Sequence, residues 1–413
     1  MGRDLDGRAV TVLGAGIAGL AVARALALRG AEVTVLEQAS EIGEVGAGIQ
    51  VSPNGAVVLG ALGLSAPLEA MAMRAEAVEL HDGPRGRRVV RMALSGLRPT
   101  EAYRFVHRAD LIAMLAEGAR DAGVQMRFLQ KADEVRLGED GPEVVTAQGA
   151  RLACPLLIGA DGLHSRTRAT LNGAVAPFFT HHCAWRALIP AEPGARPVAE
   201  VHMGPGCHLV SYPLRGGTLR NIVAVQERRA WVEESWTLAD DPAVLRAAFA
   251  GFSPRVRGWL DQVGSVNLWG LFRHPVAPVW QRAGQGGAGP WAVAILGDAA
   301  HPTLPFLAQG ASMGLEDAWT LAAALAEGLA GGTAGGAHGD LEAALARWQR
   351  ARAPRCARIV EAASRNARAY HLTGPARAVA HLGLGLAGRV APGRLLGRFD
   401  WIYGHDVTAG APG

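Results

Sequence analysis

The feature that most constrains this chain is a glycine-rich turn between a short buried strand and an apolar helix. Arg8–Leu13 reads as the strand, Gly14-Ala15-Gly16-Ile17-Ala18-Gly19 as the turn, Ile17–Arg29 as the helix and Glu32–Leu36 as the next parallel strand. Gly30 stands where a helix-ending glycine is expected. In such a unit Gly14 permits the tight turn, Gly16 lets the backbone approach a pyrophosphate, and Gly19 lets the helix pack closely on the sheet. The helix N-terminus, with Ile17 and Ala18 in its first turn, then faces the anion. Glu37, 23 residues after Gly14, ends the second strand with Gln38 beside it. A carboxylate there accepts both hydroxyls of a ribose. It repels a 2′-phosphate at this site only, and leaves open the choice of nicotinamide bound elsewhere.

A second signal lies far downstream. Gly297-Asp298-Ala299-Ala300-His301-Pro302 follows the apolar run Trp291–Leu296 and precedes a helical stretch from Gly310, with Ala311 next, to Leu329. Asp298 alone would read as a helix-capping residue. In this setting it can accept from a ribityl hydroxyl, while nearby helix N–H groups face a phosphate or a flavin edge. With Asp161-Gly162 between the two signals, the pattern implies one long cofactor held by separated parts of a single fold. That points to FAD and to an oxidoreductase.

Other function classes find little support. The charge balance, 41 basic against 37 acidic residues, is only +4, and no basic stripe is interleaved with aromatics as nucleic-acid binding would need. Cys154, Cys183, Cys207 and Cys356 lie far apart, form no zinc or CxxC pattern, and read as buried or bystander thiols, so no metal is expected. No run of eighteen apolar residues and no secretory signal is visible, and a cytoplasmic protein without membrane contact is the expectation.

The order of elements implies an α/β fold: a Rossmann-type FAD-binding domain with an inserted sheet-rich substrate domain and C-terminal helices. Residues 1–175 form the first part of the cofactor domain, with 70–98 as a contributor to the substrate domain. Residues 176–275 form the substrate domain, 276–370 the second part of the cofactor domain, and 371–413 a C-terminal segment. Strand-like pieces at Trp185–Ile189, His208–Pro213 and Asn221–Gln226 mark the insert. Leu341–Tyr370 is expected as a helix kinked or broken near Pro354. Gly284–Gly289 and Gly331–Gly339 read as mobile surface loops.

At this point the sequence resembles the flavin-dependent aromatic hydroxylases of the para-hydroxybenzoate hydroxylase fold, and most of all the salicylate, 3-hydroxybenzoate and 6-hydroxynicotinate hydroxylase branch. The matching motifs run from Val10 to about Asp406. Besides the first turn with Glu37, they are Gly46-Ala47-Gly48-Ile49-Gln50 with Pro53-Asn54, Arg108-Ala109-Asp110-Leu111, and Gly159-Ala160-Asp161-Gly162 with Ser165 and Arg168. The Gly297–Pro302 motif continues through Leu304-Pro305-Phe306 to Gly310-Ala311 and Glu316-Asp317. Arg352 with Arg355, and Asp400-Trp401-Ile402-Tyr403-Gly404, complete the set.

The resemblance implies that Gly48 and Ile49 run beside the isoalloxazine, that Arg108 contacts FAD, and that Asp161 serves FAD and NAD(P)H. It also implies the reaction: hydride transfer from NADH or NADPH to the flavin, a C4a-hydroperoxide formed with O2, and delivery of one oxygen to a small aromatic acid of the hydroxybenzoate, salicylate or hydroxynicotinate type. Alternatives are a hydroxylase of a larger natural-product or quinone-precursor ring, a non-hydroxylating flavin oxidase, and a flavin-binding regulatory module. The assembly state is expected to be a monomer or homodimer.

The substrate end rests on His208 and Tyr212. On a strand, residues four apart face the same side, so both can enter one pocket. Histidine can take a phenolic proton near neutral pH, and Tyr212 can donate to a carboxylate or hydroxyl. The resemblance gives a histidine and tyrosine at this spacing the same roles. It also matches Trp185-Arg186 to a family pair, with Arg186 assigned to structure or electrostatics before direct carboxylate binding. Pro305 departs from a polar glutamine found in some 3-hydroxybenzoate 6-hydroxylases.

Overall fold

Runs rich in β-branched residues form the central strands Ala9–Leu13 and Glu32–Leu36 of the first sheet. Its order is Gln281–Gly286, Gly289–Ile295, Leu156–Gly159, Ala9–Leu13, Glu32–Leu36, Gln125–Arg127. The last five are parallel, and Gln281–Gly286 pairs antiparallel at one edge. A parallel sheet needs both faces covered, which explains why Val12, Val35, Leu157 and Ile295 are all fully buried. Helices Ile17–Ala27, Arg108–Asp121 and Gly310–Leu329 pack with these strands in one core. The computed structural model describes residues 4–43, 47–97, 102–228, 238–330 and 340–409. Gly46, the Gly331–Gly339 stretch and the proposed boundary at residue 98 lie outside them.

The first turn closes as its glycines require. Gly14 has a φ of +97°, and a Cβ there would stand 2.5 Å from the Ala160 carbonyl oxygen. A Cβ on Gly19 would stand 2.0 Å from the Gly14 oxygen, so helix and strand can meet only without one.

A second sheet has eight strands in the order Ala239–Asp240, Val266–Arg273, Phe178–Pro190, Leu219–Glu227, Cys207–Leu214, Val198–Gly204, Ala77–Asp82, Arg88–Ala93. All neighbours are antiparallel except Val198–Gly204 with Ala77–Asp82. The two-residue side-chain period gives this sheet two different faces. Cys207, Leu209, Trp185 and Ile222 point into a core with Phe249, Val256 and Trp259 from helices and turns at Pro242–Ala248 and Pro254–Leu260. His208, Val210 and Tyr212 point the other way, toward the first sheet.

Two expectations are corrected. Gly284–Gly289 is not a free loop: it forms the turn end of a hairpin in which Gln281–Gly286 pairs with Gly289–Ile295. Its glycines make room, since a Cβ on Gly284 would lie 2.5 Å from the Trp291 ring and one on Gly286 2.8 Å from Asp140. Of the kink or break expected near Pro354, the break does not occur: Leu341–Tyr370 runs as one helix through it. Buried anchors hold it on both sides of the proline: Arg352 before it, Cys356 and Ile359 after it. The C-terminal segment adds helices Gly374–Val390, Pro392–Gly397 and Asp400–Tyr403. Among the described residues no helix is long and apolar enough to cross a membrane.

Candidate active site

Between the carboxyl ends of the parallel strands and the inner face of the second sheet lies a cavity of about 1270 Å³. That exceeds the roughly 300–1,000 Å³ of ordinary ligand pockets, and suits a large cofactor with a ring beside it. Gly14, Gly16, Ile17, Ala18, Glu37 and Gln38 line one end. Gly48, Ile49, Arg108, Asp161, Asp298, Pro302, Gly310 and Ala311 line it as well, and so do His208 and Tyr212. Gly19 alone among the predicted site residues does not, because it lies beneath the turn, packed on Gly14 and Ala160.

The residues at the nucleotide end fit a bound dinucleotide. A Cβ on Gly16 would meet nothing within 4 Å, so the space beside it is free for a ligand. Glu37 accepts from Ala15 N at 2.7 Å and from Ala39 N at 2.8 Å, which fixes its carboxylate. Each oxygen keeps a lone pair for a hydroxyl donor. Asp298 opens into the cavity, and no protein hydrogen bond from the described residues reaches its carboxylate. Protein on its other sides raises the carboxyl above its ordinary value, with His301, Arg108 and His274 opposing. A carboxylate that faces the cavity and accepts from none of the described residues is suited to a ligand hydroxyl.

Asp161 has a different local task. Its carboxylate accepts from Ser165 Oγ at 2.5 Å, Arg166 N at 2.8 Å and Thr167 N at 3.2 Å, so it caps the helix Arg166–Asn172 while one side faces the cavity. Burial raises this carboxyl against those hydrogen bonds.

Behind the cavity a buried charge cluster fixes the start of helix Gly310–Leu329. Arg352 donates to Asp317 at 2.8 Å and to Glu316 at 2.5 Å, and Arg355 donates to Glu316 at 2.8 Å. Asn54 donates to Glu316 at 2.7 Å and to Gln309 at 3.1 Å. Arg355 also donates to the carbonyls of Trp401 and Ile402, which ties in the terminal signature. His301 belongs to this cluster rather than to the cavity wall: its Nε2 lies 2.5 Å from Asp317 Oδ2.

At the other end His208 and Tyr212 are 1% and 3% exposed. The His208 ring lies 5.5 Å from Phe306 and 5.2 Å from Tyr370 between centroids. Burial, then His371 and His182, push its imidazole well below the usual range, so it is neutral and able to accept a proton. Burial pushes the Tyr212 hydroxyl up, against Arg186 and Gln50, and it stays a donor. Tyr212 stacks on Phe105 at 4.8 Å and crowds Gly48, where a Cβ would meet its ring at 2.7 Å. The site therefore joins a nucleotide-sized cradle to a ring-sized pocket carrying an acceptor and a donor.

The model of a family described as FAD binding domain matches residues 8–240. A 3-hydroxybenzoate 6-hydroxylase from Polaromonas naphthalenivorans (strain CJ2) is 34% identical over 412 residues, covering 96% of this chain and 96% of its own. The chain belongs to the FAD-dependent aromatic hydroxylases. This chain is also 34% identical to the 3-amino-4-hydroxybenzoate 2-monooxygenase PtnB3 of Streptomyces platensis, over 97% of this chain and 96% of the other. Among solved structures, Klebsiella pneumoniae HpxO complexed with FAD and uric acid matches with a TM-score of 0.77 and 26% identity, covering 93% and 94% of the two chains. FAD is the cofactor, and the enzyme is an aromatic-ring monooxygenase.

The structure adds residues to the hydroxylase site that sequence reading did not single out. His371 touches His208 from a residue 163 positions away, and no local pattern marks it. Asn221 accepts from Gly48 N at 2.7 Å and pins the strand bearing Ile49. Arg186, assigned from sequence to structure or electrostatics before direct carboxylate binding, lines the cavity with its guanidinium 4.3 Å over the Trp269 ring. An arginine facing the pocket is the signal that would have raised its rank as an anion partner.

Proposed function

We propose that this hydroxylase uses NADH or NADPH and O2 to hydroxylate a small phenolic or N-heteroaromatic acid of the hydroxybenzoate, salicylate or hydroxynicotinate type. The observation that carries the reading is the shared cavity: His208 and Tyr212 open onto the same space as Gly16, Glu37 and Asp298. Gly14, Gly16, Ile17, Ala18, Glu37 and Gln38 would hold the nucleotide half of FAD. Gly48, Ile49, Arg108, Asp298, Pro302, Gly310 and Ala311 would hold the flavin half, with Asp161 and Gly19 shaping the turns beside them. Bound FAD supplies the oxygen-activating chemistry.

The protein's own part is to place and polarise the ring. His208 accepts the phenolic proton and raises electron density at the ring position to be attacked. Tyr212 donates to the substrate's carboxylate or hydroxyl, and Arg186 supplies positive charge on the same wall. Phe306, Leu304 and Trp269 exclude water and sandwich the ring. NAD(P)H supply and four buried free thiols suit a cytoplasmic location.

The test is mass spectrometry of products formed under ¹⁸O2 by FAD-loaded protein with NADH or NADPH. The substrates are salicylate, 3-hydroxybenzoate, 4-hydroxybenzoate and 6-hydroxynicotinate. One ¹⁸O in a product supports the reading and picks the ring; reduced-cofactor consumption with no labelled product from any of them rejects this substrate class. A larger aromatic ring is the second reading, favoured by the cavity's extension along Tyr370, Leu396, Phe399 and Tyr403.

A further inference from the structure

A line of three side chains leads from the cavity to the surface. His208 Nδ1 lies 2.6 Å from His371 Nε2, and His371 Nδ1 lies 3.0 Å from Glu227 Oε1. His208 and His371 are 1% and 4% exposed, whereas the Glu227 side chain is 53% exposed. The three residues come from different elements. His208 lies on strand Cys207–Leu214, Glu227 ends the neighbouring strand Leu219–Glu227, and His371 follows the helix Leu341–Tyr370. Backbone bonds lock them together: Gly206 N donates to the His371 carbonyl at 3.2 Å, and Glu227 N donates to the Gly206 carbonyl at 2.8 Å.

The outermost group dictates the hydrogen positions of the other two. An ionised Glu227 only accepts, so His371 Nδ1 carries the hydrogen. A neutral His371 then has a bare Nε2, which requires the hydrogen on His208 Nδ1. His208 Nε2 is left with a lone pair and has no hydrogen-bond partner among the described residues, on a ring that lines the cavity. We propose that His208, His371 and Glu227 form a proton wire from the substrate pocket to solvent, in which Glu227 sets the tautomer that makes His208 Nε2 a base. The wire rests on the assignment of His208 as the base for a phenolic substrate.

The transfer balances. The phenol's proton bonds to His208 Nε2 as the substrate O–H bond breaks, and the His208 Nδ1 proton passes to His371 Nε2. The His371 Nδ1 proton passes to Glu227, which releases it to water. Both rings are left in the reversed tautomer. Reprotonation of the product through the same line restores them, so one turnover resets the wire without an external donor beyond water.

Storage of the proton on the first ring is disfavoured. Burial, then the neighbouring His371 and His182, penalise charge on His208; burial, then His182, penalise it on His371 despite Glu227. The other titratable groups around the pair are Tyr370, with its ring 5.2 Å from His208, and Cys207 beside it. Burial holds both of these protonated, so neither competes for the proton.

The experiment mixes FAD-loaded wild type, His371→Asn and Glu227→Gln with 3-hydroxybenzoate in weak buffer containing a pH-indicator dye. Stopped-flow absorbance follows the flavin for binding and the dye for proton release. Binding is expected at similar rates in all three. Release is expected to slow roughly 10²-fold in His371→Asn, the low end of what a positioned base contributes, and about tenfold in Glu227→Gln, where water replaces the last acceptor. Wild-type release rates in both variants overturn the wire. Glu227→Gln changes a surface side chain and keeps the test alive if His371→Asn does not fold. Should 3-hydroxybenzoate, and then salicylate, 4-hydroxybenzoate and 6-hydroxynicotinate in its place, leave the flavin spectrum of every protein unchanged, the substrate reading fails at that point. Nitrogen-15 NMR of the ligand-free protein then decides the wire by itself. Nδ1–H tautomers on both histidines, mixed in Glu227→Gln, support it, and an Nε2–H tautomer on His208 overturns it.

Discussion

The two sheets that face each other across the cavity present function in different ways. The parallel sheet offers backbone: a turn that tolerates no Cβ at Gly14 or Gly19, open space at Gly16, and strand ends that aim Glu37 and Asp298. The eight-stranded sheet offers side chains, sorted by strand alternation into a packed outer face and an inner face bearing His208, Tyr212 and Arg186. A backbone-built site restricts which residues fit, whereas a side-chain-built site leaves the strand free to carry many chemistries. The cradle is common to the fold, and the ring end is where one enzyme differs from another.

That contrast can be broken by substitution. The largest effect is expected from Gly19→Val, whose Cβ would start 2.0 Å from the Gly14 oxygen. Purified protein should carry no FAD by its visible spectrum, and normal flavin content would refute the backbone argument. On the other sheet, His208→Asn should keep its FAD and lose roughly 10²–10⁴-fold in product formation, the range for a positioned acid or base. Loss of FAD along with activity would show that the two sheets are not separable.

The charge cluster behind the cavity should affect stability. His301→Asn strands Asp317 with one fewer partner, and removal of one member of a buried pair typically costs about 3–5 kcal/mol, readable by denaturant unfolding. Its pH dependence has a definite sign. Burial pushes Asp317 up, but His301 and Arg352 hold it down from 3.8 to about 2. That stabilisation is present above 3.8 and lost as the pH falls through about 2. His301 is raised above its usual 6.5, so its share is present below 6.5 and lost as the pH rises through the folded value. The gap between wild type and His301→Asn should be widest between these two ordinary values and shrink on both sides.

The smallest effect is expected from Gly16→Ala. With nothing within 4 Å of the added Cβ, the FAD-free protein should keep its melting temperature. FAD affinity, by titration calorimetry, should fall about tenfold, or ~1.4 kcal/mol. An unchanged affinity would mean that the pyrophosphate does not approach at Gly16.

Legibility in the sequence follows the same divide. Glu32–Leu36 and Gly310–Leu329 could be read to the residue, because a buried parallel strand and an apolar helix both have strong local periodicity. Gly14 is legible because its φ of +97° demands glycine, and Glu37 and Asp298 are legible as acids at strand ends, which the fold brings to one cavity. That His208 and Tyr212 face one cavity is legible from strand alternation, but their surroundings are not. His371 follows a helix whose pattern ends before it, and it reaches His208 only through the folded chain. The hairpin at Gly284 was misread for a related reason: its glycines answer to Trp291 and Asp140, which the local sequence does not reveal.

The pairing of Leu156–Gly159 with Gly289–Ile295 also bears on how the molecule is made. The central strands of the first sheet are synthesised early, yet one of them has an open hydrogen-bonding edge until Ile295 has left the ribosome. Six of the eight strands of the second sheet emerge in that interval. A nascent chain must therefore keep a sticky apolar edge from pairing with the many strands that appear before its proper partner. Assembly of this non-local kind is slow and leaves the growing chain exposed to aggregation until the late strand arrives.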